Sequence, residues 1–188
     1  MMDVFKQLPQ FESNKFILRA LKSNDADDLL KVYSDEKAVP FFNGDNCHGD
    51  DFHYTTLERM AEAVKFWLWS YEQGYFVRWA VVDKSTDTAI GTIELFHRDD
   101  ESETYKNGGL LRLDIHSDYE NKNDIFEIIS AIKDSVYDLF WCDKIITKVN
   151  PFATERRSAI EKLGFKLADT PLIGNEGEQF TDYYILNK

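Results

Sequence analysis

Apolar and polar positions alternate with a period of two from Lys15 to Leu21, where Phe16 and Leu18 share one face and Ile17 and Arg19 the other, which predicts a strand. Ser23-Asn24-Asp25 then supplies helix-capping side chains ahead of Ala26, Leu29, Leu30 and Tyr33, which recur at helical spacing. Pro40 to Asp51 is rich in Gly, Asn and Asp and predicts a loop. Thr56 to Glu72 predicts a long helix stopped by Gly74, with Val64, Leu68 and Tyr71 on one stripe. Phe76 to Asp83 and Ala89 to Phe96 are β-rich runs joined by a short polar link, so a hairpin is expected. Asp99 to Glu103 reads as a solvated acidic loop and Gly109 to His116 as the next strand. From Asp124 to Leu139 the residues Ile125, Ile128, Ile129, Ile132, Val136 and Leu139 mark a single helical face. A strand at Lys144 to Val149, a helix at Thr154 to Leu163 closed by Gly164, and strands at Phe165 to Ala168 and Gln179 to Leu186 complete the chain.

The order β-α-α-β-β-β-α-β-α-β-β describes an α/β (α+β) fold, a mixed sheet carrying helices rather than a repeating βαβ array. No linker or repeat divides residues 1–188, so a single domain is expected. The motifs G-x-G-x-x-G and G-x-x-x-x-G-K-[ST] are both missing, which argues against dinucleotide and P-loop chemistry. The formal charge of −12 disfavours nucleic acid as a partner and suits a cationic one such as an amine or a basic peptide. Cys47 and Cys142 are too few for a disulfide framework, and Cys47-His48 with His53 lacks metal-ligand spacing, so no metal is expected. The start, Met1-Met2-Asp3-Val4-Phe5-Lys6, has no apolar core of a signal peptide, and no run is long enough to span a membrane. A cytoplasmic monomer or homodimer is the expectation.

Four phrases carry a family resemblance: Phe16-Ile17-Leu18-Arg19-Ala20-Leu21 before Asn24-Asp25-Ala26; Trp79-Ala80-Val81-Val82 before Ile90-Gly91-Thr92-Ile93; Leu113-Asp114-Ile115-His116 with Asp118-Tyr119; and Ile160-Glu161-Lys162-Leu163-Gly164-Phe165. In this order and at these spacings the chain resembles the GCN5-related N-acetyltransferases, and within them the ribosomal-protein N-terminal acetyltransferases. The resemblance implies a mostly antiparallel sheet flanked by helices, acetyl-CoA as co-substrate, and transfer of the acetyl group to a primary amine or peptide N-terminus by direct attack. It also implies a diphosphate site on free N–H groups at the start of the helix after the central strand. The family pattern there is Gln/Arg-x-x-Gly-x-Gly/Ala, and this chain has Glu120-Asn121-Lys122-Asn123-Asp124-Ile125. Asn123 tolerates the left-handed turn a glycine would make and Lys122 can meet a phosphate, whereas Glu120 and Asp124 bring negative charge and Ile125 brings bulk.

Asp124-Ile125-Phe126-Glu127 resembles a capping box, so Asp124 is expected to cap the helix in place of a phosphate. The family's Asn-x-x-Ser before the last helix falls on Ala153 and Arg156 here. Arg156 and Arg157 could contact phosphate or stand as surface charges. An oxyanion donor is expected from a backbone N–H near Ile115 and His116. The base candidates are Glu94 and Asp114, carboxylates flanked by apolar strand residues. Tyr33, Phe41, Trp67 and Trp69 could wall an acceptor site, although aromatic residues at such spacing are more often core. The competing class is a protein of this fold with a weakened or lost coenzyme site that acts by binding a ligand or partner. A hydrolase using His97 or His116 ranks last, because no G-x-S-x-G nucleophile motif accompanies them.

Overall fold

Strand alternation decides which side of the sheet each helix covers. In the computed structural model, which describes residues 3–188 (Met1 and Met2, part of the stretch read above for a leader, lie outside the described residues), the elements run in one series. They are β1 (Phe11–Glu12), β2 (Phe16–Ala20), α1 (Ala26–Tyr33), α2 (Leu57–Glu72), β3 (Val77–Asp83), β4 (Thr88–Arg98), β5 (Gly108–Ile115), α3 (Lys122–Leu139), β6 (Lys144–Lys148), α4 (Thr154–Lys162), β7 (Lys166–Leu167), β8 (Leu172–Ile173), β9 (Gln179–Phe180) and β10 (Tyr183–Asn187). Eight strands form one sheet in the order β1-β2-β3-β4-β5-β6-β10-β7, with β8 and β9 as a separate hairpin. Within the large sheet the ladders are antiparallel save that between β5 and β6.

Val77, Trp79 and Val81 of β3, with Ile93, Leu95, Leu111, Leu113 and Ile115, point to the face covered by α3 and α4. Their neighbours Ala80, Val82 and Ala89 point to the other face, under α1 and α2, where they meet Leu29, Tyr33, Met60 and Trp67. The isoleucine stripe of α3 is wholly buried, from Ile125 through Leu139. Each such side chain stabilises the fold by roughly 1.5–3 kcal/mol against leaving it in water. Gly74 and Gly164 follow α2 and α4 with φ of 75° and 97°, the left-handed geometry that ends a helix without a Cβ clash.

Several expectations are corrected. Helix α3 begins at Lys122, two residues before the expected start, and Asn121 caps it by accepting from the Asp124 N–H. The buried stripe of α2 is Met60, Ala63, Val64, Trp67 and Ser70, while Leu68 and Tyr71 are half-buried, because the Trp67 indole sets which face turns inward. The single strand expected at Gln179 to Leu186 is two, broken where Asp182 takes φ of 66°. β9 pairs with the unanticipated β8, and β10 enters the main sheet between β6 and β7.

One irregularity positions the site. The parallel ladder runs only from Gly108↔Lys144 to Leu111↔Thr147. Past it, β5 continues along β4 as far as Ile115↔Gly91, so Arg112 to Ile115 face a gap on the β6 side. At Gly91 the strands approach so closely that a Cβ would sit 2.2 Å from the Asp114 carbonyl oxygen, which reserves the position for glycine.

Candidate active site and coenzyme groove

On the α1/α2 face, the alternate residues of three adjacent strands bring charge inside. Arg78 of β3, Glu94 and Thr92 of β4, and Arg112 and Asp114 of β5 all point that way and are all buried. Arg78 donates to Glu94 through Nε and Nη2, and through Nη1 to Asp114 Oδ2 at 3.1 Å. Arg112 Nη1 donates to the other Glu94 oxygen at 2.9 Å. The Tyr33 hydroxyl donates to Asp114 Oδ2 at 3.0 Å and lies 2.8 Å from Thr92 Oγ1. Trp67 closes the stack, with the Arg78 guanidinium 4.1 Å from its ring centre. Isolated ions here would cost several kcal/mol each, and the mutual pairing offsets that cost.

The two base candidates therefore divide the requirements of a base between them. Burial pushes Glu94 up, but Arg78 and Arg112 outweigh it and hold the carboxyl below its ordinary value, so it is a weak proton acceptor. Burial pushes Asp114 up and Glu94 adds to the rise, against the opposing pull of Arg78. Its Oδ1 is buried with no hydrogen-bond partner among the described residues. Glu94 lines a cavity and Asp114 does not. Access and basicity sit on different residues.

That cavity, of about 670 Å³, lies between α2, the β3–β5 sheet and the loop after Phe42. Trp67 is in its wall, as are Cys47 and His48. Tyr33 is wholly buried in the ionic network, Phe41 packs against Phe152 instead, and Trp69 stands half-exposed outside, so of the four expected wall residues only Trp67 lines it. The loop is pinned at Asp45: Lys148 Nζ donates to both its carboxylate oxygens at 2.8 and 2.7 Å, Tyr183 OH donates to one at 3.0 Å, and Arg112 Nη2 donates to its carbonyl at 2.7 Å. Asn46 Oδ1 accepts from the Asn175 N–H at 2.9 Å.

The gap between β5 and β6 is filled by a side chain. Arg156, on the first turn of α4, donates through Nη1 to the Leu113 carbonyl at 2.8 Å and the Phe41 carbonyl at 3.2 Å. Its Nε and Nη2 donate to the two oxygens of Glu120. At 5% exposure Arg156 is not the surface charge that sequence allowed; α4 is short, and its first turn faces the gap. Arg157, next along the helix, is half-buried. Burial raises the pKa of Glu120, with Arg156 pulling the other way. Strand alternation points the Ile115 N–H into the same gap as the Leu113 carbonyl. The His116 N–H instead donates to the Ile90 carbonyl at 2.9 Å, so it is no oxyanion donor.

The N-terminus of α3 is similarly occupied. The Lys122 N–H donates to Glu155 at 2.9 Å, so a carboxylate from α4 holds the place of an anion on the helix dipole. Asp124 does not cap: Lys15 Nζ donates to both its oxygens at 2.9 Å, and the Asn121 side-chain amide donates to it at 2.8 Å. Asn123 lies in the helical first turn, not in the left-handed conformation, and Lys122 and Asn123 are exposed while Ile125 is in the core. These residues do not fit a coenzyme diphosphate, and the gap that would take the rest of acetyl-CoA is filled by Arg156. Sequence reading noted Glu120 and Arg156 singly and missed their pairing, along with Arg78, Arg112 and Glu155. An arginine inside each of the apolar runs of β3 and β5 was the available signal.

The acetyltransferase (GNAT) domain family matches residues 15–166. No curated protein sequence matches the chain. Among solved structures, a candidate ribosomal-protein-serine acetyltransferase from Vibrio cholerae superposes with a TM-score of 0.71 at 11% identity, over 96% of this chain and 98% of that one. A GNAT-family acetyltransferase from Bacillus anthracis gives 0.69 at 14% identity, over 95% and 98%. The ribosomal-protein-S5-alanine acetyltransferase from Vibrio fischeri gives 0.67 at 18% identity, over 96% of each. At these identities the likeness is one of fold. No helix among the described residues is long and apolar enough to cross a membrane.

Proposed function

This chain belongs to the GNAT acetyltransferase family, and we propose that it serves there as a ligand-binding member whose coenzyme groove is closed by its own side chains. The observation that carries this reading is Arg156, buried in the gap between β5 and β6, on the Leu113 carbonyl and Glu120. The ligand site is the cavity on the α2 face, which remains open while the groove does not. Calorimetric titration of the wild-type protein with acetyl-CoA is the test. No binding at millimolar coenzyme is expected. Sub-millimolar binding, or release of the free thiol from acetyl-CoA when amines or peptides are added, would overturn the reading.

A second reading is acetylation of a primary amine or peptide N-terminus in the cytoplasm, which the family match and Asp114 favour. In it, Asp114 would take the ammonium proton, since its pKa is raised and its Oδ1 has no hydrogen-bond partner among the described residues. Glu94 would hold Arg78 and Arg112 in place rather than accept a proton. It requires Arg156 to leave the gap first.

A further inference from the structure

The whole-chain charge suggests a cationic ligand, and the cavity wall carries the opposite bias. Four of the chain's seven arginines, Arg59, Arg78, Arg98 and Arg112, line this one cavity; the other three are Arg19, Arg156 and Arg157. They come from α2, β3, β4 and β5, so no local run of sequence gathers them; the fold does. Against them stand three lining carboxylates, Asp50, Glu94 and Asp99, so cations outnumber anions by one among the lining residues of a chain of charge −12, while Asp114 and Asp100, outside the lining, pair with Arg78 and Arg98.

Two of the three carboxylates are also committed. Glu94 is held between Arg78 and Arg112. Asp50 accepts from Tyr54 OH at 2.8 Å, from the Phe52 N–H at 2.8 Å and from Arg59 at 3.2 Å. Arg78 is committed to Glu94, Asp114, Tyr33 and Thr92, and Arg98 to Asp100 and the Ile173 carbonyl; Arg59 and Arg112 keep donors in reserve, since a guanidinium carries five N–H groups. Arg112 spends one bond on Glu94 and one on the Asp45 carbonyl, and its Nε has no partner among the described residues. Arg59 spends its hydrogen bond on Asp50 alone.

Three of the four arginines lie over aromatic faces: Arg78 over Trp67 at 4.1 Å, Arg59 over Tyr54 at 4.4 Å and Arg112 over Phe96 at 5.4 Å. Flat cationic and aromatic groups thus alternate round the wall, and Phe66 and Tyr75, both more than half exposed, extend the aromatic surface at the mouth. Such a wall accepts a planar ring on its faces and a carboxylate on its guanidinium edges.

Resting on the proposed function, we infer that this cavity binds a planar aromatic ligand bearing a carboxylate, and discriminates against the corresponding amine. Three probes that share one ring and differ in charge test it: indole-3-acetate, tryptamine and 3-methylindole, each titrated calorimetrically into the wild-type protein. Indole-3-acetate should bind about tenfold or more tightly than either of the others. Raising the salt should weaken that binding, and Arg59→Gln should weaken it by about two- to fivefold. Arg59 lies at the rim, its side chain 45% exposed and outside the buried ionic network, and a thermal melt verifies that the variant folds. Tighter binding of tryptamine, equal binding of all three, or no binding of any at millimolar concentration would overturn the inference. Acetyl-CoA plays no part in these titrations, so their failure is separate from the failure of the closed-groove reading.

Discussion

Two buried ionic clusters meet at β5, and they do different things with the same chemistry. On the α1/α2 face, Arg78, Arg112, Glu94 and Asp114 neutralise one another beside a cavity that stays open. In the β5–β6 gap, Arg156 and Glu120 neutralise one another by occupying the space itself. The first cluster shapes a wall and the second fills a gap. Buried charge alone therefore does not distinguish an open site from a closed one; what matters is whether the charge leaves room beside it.

The harshest way to probe that contrast is to remove one cation from the wall. Arg78→Met should leave Asp114 buried without its cation and Glu94 with Arg112 alone, and cost about 3–5 kcal/mol, read as a fall in the denaturant midpoint. Next comes the pair that fills the gap. Arg156→Ser should destabilise the protein by about 3 kcal/mol because it leaves Glu120 buried and unpaired. Adding Glu120→Gln should recover part of that loss, a coupling of about 1–3 kcal/mol in a double-mutant cycle. The double variant should gain acetyl-CoA binding by calorimetry where wild type has none, and a folded double variant with no binding would refute the closed-groove reading.

A smaller contrast lies in pH. Glu94 has a lowered pKa, so its stabilising contribution is present above its unfolded value of 4.5 and is lost as pH falls through the folded value. Glu120 has a raised pKa, so its contribution is complete below 4.5 and is lost as pH rises through the folded value. Acidification from pH 7 toward 4.5 should therefore favour wild type over Glu120→Gln, whereas Glu94→Gln should lose its disadvantage only below 4.5. Melts at half-unit pH steps would reveal either sign. Smallest of all is Asp124→Ala: its partner Lys15 is partly exposed, and the change should cost about 1 kcal/mol or less and leave acetyl-CoA binding untouched.

What could be seen in the chain beforehand follows from the range of the forces involved. The stripe of α3 was legible because six apolar side chains at helical spacing have no other use. The phrases of β2 to β5 gave the sheet, since alternation within a strand is local. Alternation alone, however, does not say which face another element will cover, so the burial of Glu94 and Asp114 was open until α1 and α2 were placed. Glu120 and Arg156 stand 36 residues apart and meet only because two parallel strands part company. The early start of α3 turned on whether Asn121 or Asp124 would cap it, a choice Lys15 settles from 109 residues away. The β8–β9 hairpin has two residues per strand, too few for any period to register.

The pinning of the loop at Asp45 bears on how quickly the cavity can fill. With Lys148, Tyr183 and Arg112 all fastened to that one residue, the loop that carries Asn46, Cys47 and His48 into the cavity wall is held in place in the free protein. Arrival is then a single bimolecular step. In stopped-flow mixing, the observed rate should rise linearly with ligand concentration and reach no plateau, because no slow loop opening stands between the free and filled states. Asp45→Ala removes the Lys148 and Tyr183 bonds, leaves Arg112 on the backbone carbonyl, and should introduce that plateau as the loosened loop must first find its shape.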